Sequence, residues 1–167
     1  MDEKNLDIYG SALIPWERAR TQFEKREFHG GRGTYWLSTT DRDGHPHTAG
    51  VLGVWIGDTL YFASGTSTRK SRNLDANPSC AIAASLPDLD VVMEGTARRV
   101  TDPATLEKVA AEFERCGWPV AVEGDLLTAP WGAPSAPPPW NLYAVTPAIA
   151  VGVATAGTPG ATRWRFG

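Results

Sequence analysis

The residues best suited to chemistry in this chain are two adjacent cations, Arg69 and Lys70, which follow a threonine, Thr68. Threonine is a favoured helix N-cap, and the residue before a proline avoids helical backbone, so we predict a helix over 69–76 that ends before Pro78. The free N–H groups at its start, its dipole and the two cations would favour a bound anion, most simply a phosphate. A capped surface helix with two solvated bases explains the same residues equally well. Further hydroxyl groups precede the helix, at Ser64, Thr66 and Ser67.

The elements that would position this helix are mostly β-strands. Apolar, aromatic and β-branched runs bounded by turn residues predict strands at 34–40, 47–56, 60–63, 80–86, 89–100, 140–147, 149–154 and 163–166. Two more helices are predicted, each with a proline in its first turn, over 15–28 and 103–115. Because no βαβ unit repeats, the pattern is mainly β and indicates an antiparallel β-barrel with peripheral helices.

Composition limits the classes of function. The chain has 167 residues, enough for one domain with a core, and 42% of them are hydrophobic. Its net charge is −3 and its bases are dispersed, which argues against a nucleic acid as the main partner. No apolar run approaches the ~18 residues of a membrane span, and the polar, acidic N-terminus does not resemble a signal peptide. We therefore expect a cytoplasmic protein that neither enters a membrane nor binds nucleic acid.

The cysteines and histidines do not form a metal-binding pattern. Cys80 and Cys116 lack CxxC spacing, so we expect two reduced thiols and no metal. Glu94 lies in an apolar strand, where a carboxylate needs a partner, and we expect it to pair with Arg98 or Arg69. We interpret the histidines as surface residues without a role in metal binding: His29, His45 and His47.

Two segments lie outside the predicted barrel strands. Residues 1–30 are expected to form an N-terminal arm and helix, loosely ordered over 1–14, and residues 31–167 are expected to form the barrel domain. Residues 117–139 are rich in proline and predict one long loop, a kind of segment that is often functional. The loop could be a lid, a cover over a dimer contact or a purely structural wrap. Its aromatic residues, or those beside it, are Trp118, Trp131 and Trp140.

Several motifs taken together resemble a known family. They are TYWLSTTDRDGHPHTAGVLGVW at 34–55, LYFASGTSTRKSRNL at 60–74, NPSCAIAA at 77–84, VVMEGTARRVTDPATLEKVAAEF at 91–113, WNLYAVTP at 140–147 and TRWRF at 162–166. With these motifs the sequence resembles the pyridoxamine-phosphate oxidase-like, FMN-binding split-barrel superfamily. It is most similar to actinobacterial members, which use FMN or a deazaflavin. The resemblance covers most of the chain from about residue 30 onward.

The resemblance implies a six-stranded antiparallel split β-barrel. It also implies a homodimer with two cofactor sites at the subunit interface. In such a site the cofactor phosphate would contact Thr68, Arg69 and Lys70. The other cofactor contacts that the resemblance implies, around the flavin ring and beside it, are Thr48, Ala49, Gly50, Val51, Ser64, Asn73 and Trp164.

One departure from the family bears on the substrate. Residues 48–53 lack the arginine and lysine that the vitamin-making oxidase has in this region. We therefore expect an oxidoreductase that transfers a hydride to or from a small flat substrate other than pyridoxamine phosphate. FMN, or alternatively the deazaflavin coenzyme F-420, would carry the chemistry, and no catalytic side chain is identified. Two alternatives are a non-catalytic flavin or haem binding or carrier protein of the same fold, and a small barrel that binds a protein partner through its tryptophans.

Overall fold

The computed structural model describes residues 1–25, 34–132 and 137–167, and within them β-strands predominate. The helices are α1 (Trp16–Glu24), α2 (Arg69–Ala76) and α3 (Pro103–Arg115). The strands in chain order are β1 (Asp2–Asn5), β2 (Thr34–Thr40), β3 (Pro46–Ile56), β4 (Thr59–Gly65), β5 (Ser79–Ser85), β6 (Leu89–Val100), β7 (Ala121–Glu123), β8 (Leu126–Thr128), β9 (Trp140–Ala154) and β10 (Ala161–Arg165). None of the helices in these ranges is long and apolar enough to cross a membrane.

Six of the described strands close into an antiparallel barrel. The order around it is β9, β4, β3, β2, β5 and β6, and β6 then pairs with β9 over its whole length. Outside the barrel, β10 pairs with the second half of β9, and β1 pairs with β10. The predicted mainly β fold, with a six-stranded antiparallel barrel and peripheral helices, is confirmed.

Alternate residues of the strands fill the barrel interior. Along β6, for example, Met93 is buried whereas its neighbour Val92 is exposed. Phe62 and Tyr143 stack inside the barrel with their ring centroids 5.1 Å apart. Burial of one such side chain stabilises the fold by about 1.5–3 kcal/mol. The fully buried barrel residues include Tyr35, Leu37, Leu60, Phe62, Ile82, Met93 and Tyr143.

Helix α1 packs on the barrel core. Its buried face carries Trp16, Ala19 and Phe23, whose spacing places them on one side of a helix. Arg18, on the same helix, donates to Asp88 in the β5–β6 turn at 2.9 Å and so ties the helix to the barrel. The predicted continuation of this helix to residue 28 lies outside the described residues.

The first residues of the chain are more ordered than the sequence predicts. Asp2–Asn5 forms β1, which pairs antiparallel with β10. The carboxylate of Asp7 then accepts the backbone N–H groups of Tyr9 at 2.9 Å and Ser11 at 2.7 Å. This segment therefore runs along the sheet edge and turns, rather than forming a loose arm.

Part of the predicted long loop is a β-hairpin. β7 and β8 pair antiparallel, and Leu127 of β8 lies opposite Trp140 of β9. The turn between them contains Gly124 in the left-handed region at φ 64°. Leu127 is fully buried, so tertiary packing stabilises strands too short to show a period in the sequence. The prediction of one continuous loop is therefore wrong over 121–128, and residues 133–136 of that loop lie outside the described residues.

β9 is one strand where the sequence predicts two. The register between β6 and β9 shifts at Glu94 and Gly95, so that Glu94 lies opposite Ile149 and Gly95 lies opposite Pro147. This β-bulge accommodates the proline, which has no backbone N–H to donate to a ladder. A Cβ on Gly95 would lie 2.2 Å from the carbonyl oxygen of Thr146. Glycine is therefore required where the seam of the barrel closes.

We expect Gly95→Ala to destabilise the protein by about 1–3 kcal/mol or more, because the added methyl group would overlap the Thr146 carbonyl and force the seam apart. Urea unfolding measures the change in the free energy of unfolding. Thr96→Ala, at the neighbouring exposed position of β6, is the control and should cost less than about 1 kcal/mol. Equal stability of the two variants would contradict the role given to this bulge.

Candidate functional site

The barrel opens between β3 and β4. Their ladder begins at the Ile56–Thr59 pair and stops at the Gly53–Phe62 pair. Beyond that pair, residues 50–52 stay paired with β2 and residues 63–65 stay paired with β9. The two edges separate while each strand keeps its other neighbour. Strand edges of this kind present backbone N–H and C=O groups to whatever lies between them.

A cleft of about 130 Å³ lies in this opening. One side is formed by small and apolar residues of the two strands, Gly50, Val51, Leu52, Ala63, Ser64 and Gly65. The rest of the lining, which we call the aromatic side, consists of Trp118, Trp131, Gly132 and Trp140. Among the described residues that line the cleft, Lys70 alone carries a charge. The cleft therefore combines a flat apolar slot with a single cation.

The start of α2 lies where β4 ends. Thr68 is the N-cap, as predicted, and its Oγ1 accepts the backbone N–H of Ser71 and donates to the carbonyl of Gly65 at 3.0 Å. The hydroxyl of Ser64 lies 3.0 Å from Thr68 Oγ1 and 2.9 Å from Ser71 Oγ. The hydroxyl groups of Ser64 and Thr68 are thus used inside the protein, where they fix the helix start against the strand.

Lys70 extends from the first turn of α2 into the cleft, where it is half-buried. Burial removes water from its ammonium group and lowers the pKa below the usual 10.5. No carboxylate in the described parts of the chain forms an ion pair with it. A partly desolvated cation without a counter-charge is unfavourable. This position therefore favours a bound anion.

Arg69 has a different partner. Its guanidinium group lies 3.2 Å from Asp41, and about half of its side chain is exposed. Asp41 also accepts the backbone N–H groups of His45 at 2.9 Å and Asp43 at 3.1 Å. The His45 N–H, then the Asp43 N–H and the Arg69 guanidinium lower the pKa of this carboxyl. Arg69 thus joins α2 to the β2–β3 turn and does not line the cleft.

The predicted ring strand is divided along its length. Gly50 and Val51 line the cleft, whereas Thr48 and Ala49 do not. Thr48 is exposed on the outer face of β3, where its hydroxyl lies 2.8 Å from that of Ser38. The structure therefore brings only the second half of the predicted segment to the cleft.

Asn73 and Trp164 occupy structural positions. Asn73 is buried, and its Nδ2 donates to Thr39 Oγ1 at 3.0 Å, which holds α2 against β2. Trp164 is fully buried, its Nε1 donates to the carbonyl of Ile14 at 3.1 Å, and its ring lies 5.2 Å from that of Trp16. The structure brings neither residue to the cleft.

Glu94 lies on the outer face of β6 and is exposed, next to the buried Met93. Among the described residues it forms no ion pair with Arg98 or with Arg69, which binds Asp41 instead. The prediction of a carboxylate surrounded by apolar residues is wrong, because the alternation of the strand turns this side chain toward solvent.

His47 lies near the site, although the sequence predicts a surface position for it. Its Nδ1 is buried and has no hydrogen-bond partner among the described residues. Burial first, and then the positive charges of Arg69 and Lys70, lower the pKa of the imidazole. Its proximity to the first turn of α2 depends on how the helix packs, so no local sequence pattern could have revealed it.

Two groups with metal-binding or redox chemistry lie elsewhere. The ligand atoms of Asp41, Asp43 and His45 lie within 4.8 Å of one another, but the hydrogen bonds of the turn and Arg69 account for this cluster. Cys80 and Cys116 are buried and form no disulfide with each other, and burial raises the pKa of the Cys80 thiol to about 11. Neither group lines the cleft.

Solved structures share this fold at low sequence identity. A pyridoxamine 5′-phosphate oxidase-related, FMN binding protein from Nostoc punctiforme PCC 73102 is 16% identical with a TM-score of 0.60, over 93% of this chain and 98% of that one. General Stress Protein 26 from Bacillus anthracis str. Sterne is 18% identical with a TM-score of 0.59, over 92% and 100%. An F-420 reductase is 22% identical with a TM-score of 0.51, over 78% and 94%. Identities this low support the fold alone.

The sequence itself matches a family model. A comparison with curated proteins finds no match. The family model described as pyridoxamine 5′-phosphate oxidase, however, matches residues 22–140. This segment contains the open strands β3 and β4, the start of α2 and the aromatic side of the cleft. The chain therefore belongs to the pyridoxamine 5′-phosphate oxidase family, as the motifs in its sequence predict.

Proposed function

We propose that this protein binds FMN, or alternatively the deazaflavin coenzyme F-420, and uses it to transfer a hydride to or from a small organic substrate. The observation that carries the proposal is Lys70, a half-buried ammonium group that no carboxylate of the described residues neutralises. A ligand with a phosphate and a flat ring matches the combination of this cation, a helix start and an apolar slot. FMN and the deazaflavin share these two features, and proteins that bind each are among the similar structures.

The phosphate would bind at the first turn of α2. The first N–H groups of a helix have no acceptor within the helix, and the helix dipole adds positive potential there. Lys70 would contact the phosphate directly, and Arg69 would add charge while it stays paired with Asp41. Ser64 and Thr68 would hold this turn in place through the hydroxyl contacts they make with each other.

The ring would lie between the separated edges of β3 and β4. Gly50 and Gly65 line this part of the cleft, and Leu52 and Ala63 would offer apolar contacts to the ring. Backbone N–H and C=O groups along the edges suit the polar rim of a flavin or deazaflavin. The cofactor supplies the hydride chemistry when bound. The part of the protein is to bind the ring, orient it and exclude water.

We also propose a homodimer in which a second copy completes the site. A cleft of about 130 Å³ is smaller than the roughly 300–1,000 Å³ of most ligand pockets, so one chain would enclose only part of the cofactor. Two apolar residues of the outer sheet face, Trp36 and Val92, are 54% and 44% exposed. Trp36 lies opposite Gly50 in the β2–β3 ladder, so this face adjoins the cleft. A second copy placed there would bury apolar surface and close the slot.

The substrate we propose is uncharged and planar. The cofactor phosphate would occupy Lys70, and residues 48–53 offer no other cation to an anionic substrate such as pyridoxamine phosphate. Among the described residues that line the cleft, no side chain besides Lys70 is suited to acid–base chemistry, since the Ser64 hydroxyl is already engaged. We therefore assign no catalytic side chain.

The same observation favours one alternative, a binding or carrier protein of this fold that holds a flavin or a haem without turnover. Both functions use the same anchor for the ligand. A measurement of turnover distinguishes the oxidoreductase from the carrier protein, whereas a measurement of binding does not.

Domain organisation and location follow the same proposal. We infer that residues 31–167 form the cofactor-binding domain and that residues 1–30 support it, because the buried face of α1 belongs to the barrel core. We infer a cytoplasmic location, which suits two cysteines that are not joined by a disulfide, Cys80 and Cys116.

Lys70→Met should weaken FMN binding about 10- to 100-fold, because a hydrogen bond to a charged group contributes roughly 1.5–3 kcal/mol. The same change should not lower the free energy of unfolding of the ligand-free protein, since it removes a half-buried unpaired charge. Fluorescence titration and urea unfolding measure the two quantities. Lys108→Met, at an exposed position of α3, is the matched control. The affinity of the Lys70→Met variant for riboflavin, which lacks the phosphate, should be close to that of the wild-type protein. An equal loss of affinity for FMN and for riboflavin would contradict the phosphate anchor.

Turnover is tested with protein that carries reduced FMN or reduced F-420. We expect a quinone, an enone or a nitroaromatic compound to reoxidise the protein-bound cofactor faster than the free cofactor, because the cleft would hold both reactants together. Anaerobic stopped-flow absorbance measures the rate. Tight binding without acceleration by any acceptor would favour the carrier function. Failure of the protein to bind either cofactor would remove both functions.

The dimer is tested with Trp36→Glu, which places a charge on the outer sheet face. We expect this variant to be monomeric in size-exclusion chromatography with light scattering, and to bind FMN more weakly. Tyr9→Glu is the control, because Tyr9 is 88% exposed at the N-terminal turn and should leave both properties unchanged. A Trp36→Glu dimer with unchanged FMN affinity would argue against this interface.

A further inference from the structure

We infer that Trp131 is the residue that makes this site selective for planar ligands, and that Trp118 positions it. The inference rests on the proposed function, because it names the part of the cleft that would recognise the ring. It concerns the aromatic side of the cleft, which neither the phosphate anchor nor the strand edges involve.

The position of Trp131 supports stacking. It lines the cleft and is 53% exposed. Within the described residues its ring contact is with Trp118, at a centroid distance of 6.4 Å and an angle of 47°. Much of the indole surface is therefore available to a group that enters the cleft.

Trp118 fixes the place of that indole. It is buried, with 4% of its surface exposed, and its Nε1 donates to the carbonyl oxygen of Trp131 at 3.3 Å. Phe113 of α3 meets it edge-on at 5.1 Å, and Trp140 meets it edge-on at 4.9 Å. Trp140 in turn pairs with Gly65 across the β4–β9 ladder. The aromatic side of the cleft is thus anchored to both α3 and the barrel.

The strand residues that line the cleft with Trp131 are small or aliphatic. They include Gly50, Val51 and Leu52. In this inference a planar conjugated ring would stack on the indole of Trp131 and contact these strand residues, while an attached anionic group would bind Lys70. A non-planar aliphatic ligand of the same size would lose the stacking contact, which for nucleobases on aromatic side chains changes affinity about 5- to 150-fold.

The test compares three substitutions of Trp131 with ring-only and phosphate-only probes. Trp131→Ala and Trp131→Leu should weaken riboflavin binding about tenfold or more, whereas Trp131→Phe should retain most of the affinity. Inorganic phosphate should bind all three variants as it binds the wild-type protein. The loss with leucine and the rescue with phenylalanine separate stacking from apolar contact, which leucine would preserve. Tyr9→Ala, a distant exposed aromatic residue, is the control and should change nothing.

Trp118→Phe tests the positioning role. It keeps an aromatic ring between Phe113 and Trp140 but removes the N–H that holds the Trp131 carbonyl. We expect riboflavin affinity to fall by less than with Trp131→Ala, and phosphate affinity to stay unchanged. Wild-type riboflavin affinity in this variant would overturn the positioning role.

Two results would overturn the assignment of Trp131 while leaving the proposed function intact. One is equal riboflavin affinity of the leucine and phenylalanine variants. The other is a loss of affinity that occurs only together with dissociation of a dimer in light scattering, which would make Trp131 a contact between copies. Failure of the wild-type protein to bind riboflavin, FMN and F-420 would instead overturn the proposed function and this inference together.

Discussion

The separation of β3 from β4 beyond the Gly53–Phe62 pair is the constraint on which the rest of this structure depends. Unpaired backbone groups are unfavourable unless water or a ligand satisfies them. Here each strand keeps its second neighbour, and the long β6–β9 seam closes the barrel elsewhere. The fold can therefore hold this slot open beside a well-packed core. The bulge at Gly95 contributes to this closure, because it allows one continuous strand β9 to pair with β6 despite Pro147.

Lys70 is the second element of this arrangement, and its position lowers the stability of the ligand-free protein. A half-buried ammonium without a carboxylate is unfavourable in the free protein, and the proposed anion would offset that penalty. The hydroxyl groups of Ser64, Thr68 and Ser71 bond to each other and hold the helix start. In the proposed function, binding and support are thus divided between different side chains. This division suits a protein in which a bound cofactor supplies the chemistry.

Much of the fold follows from local signals. Thr68 and the residues before Pro78 specify the bounds of α2 through capping and proline sterics, and the spacing of Trp16, Ala19 and Phe23 specifies the buried face of α1. Alternation predicts the barrel strands, and the number of strands in the barrel came from the family resemblance. The β7–β8 hairpin escaped prediction, because strands of three residues have no visible period and depend on burial of Leu127.

For the site, the sequence by itself determined its ingredients: a capped helix start, two adjacent cations and a glycine-bearing strand. Only the tertiary structure decided which cation serves the cleft, because Arg69 and Lys70 point in directions about 100° apart on the helix, and the β2–β3 turn supplies Asp41 to Arg69 alone. It also decided that Trp164 belongs to the core. Contacts between residues far apart in the chain leave no local pattern in the sequence. The surroundings of Arg69, Lys70 and Trp164 therefore depend on tertiary packing.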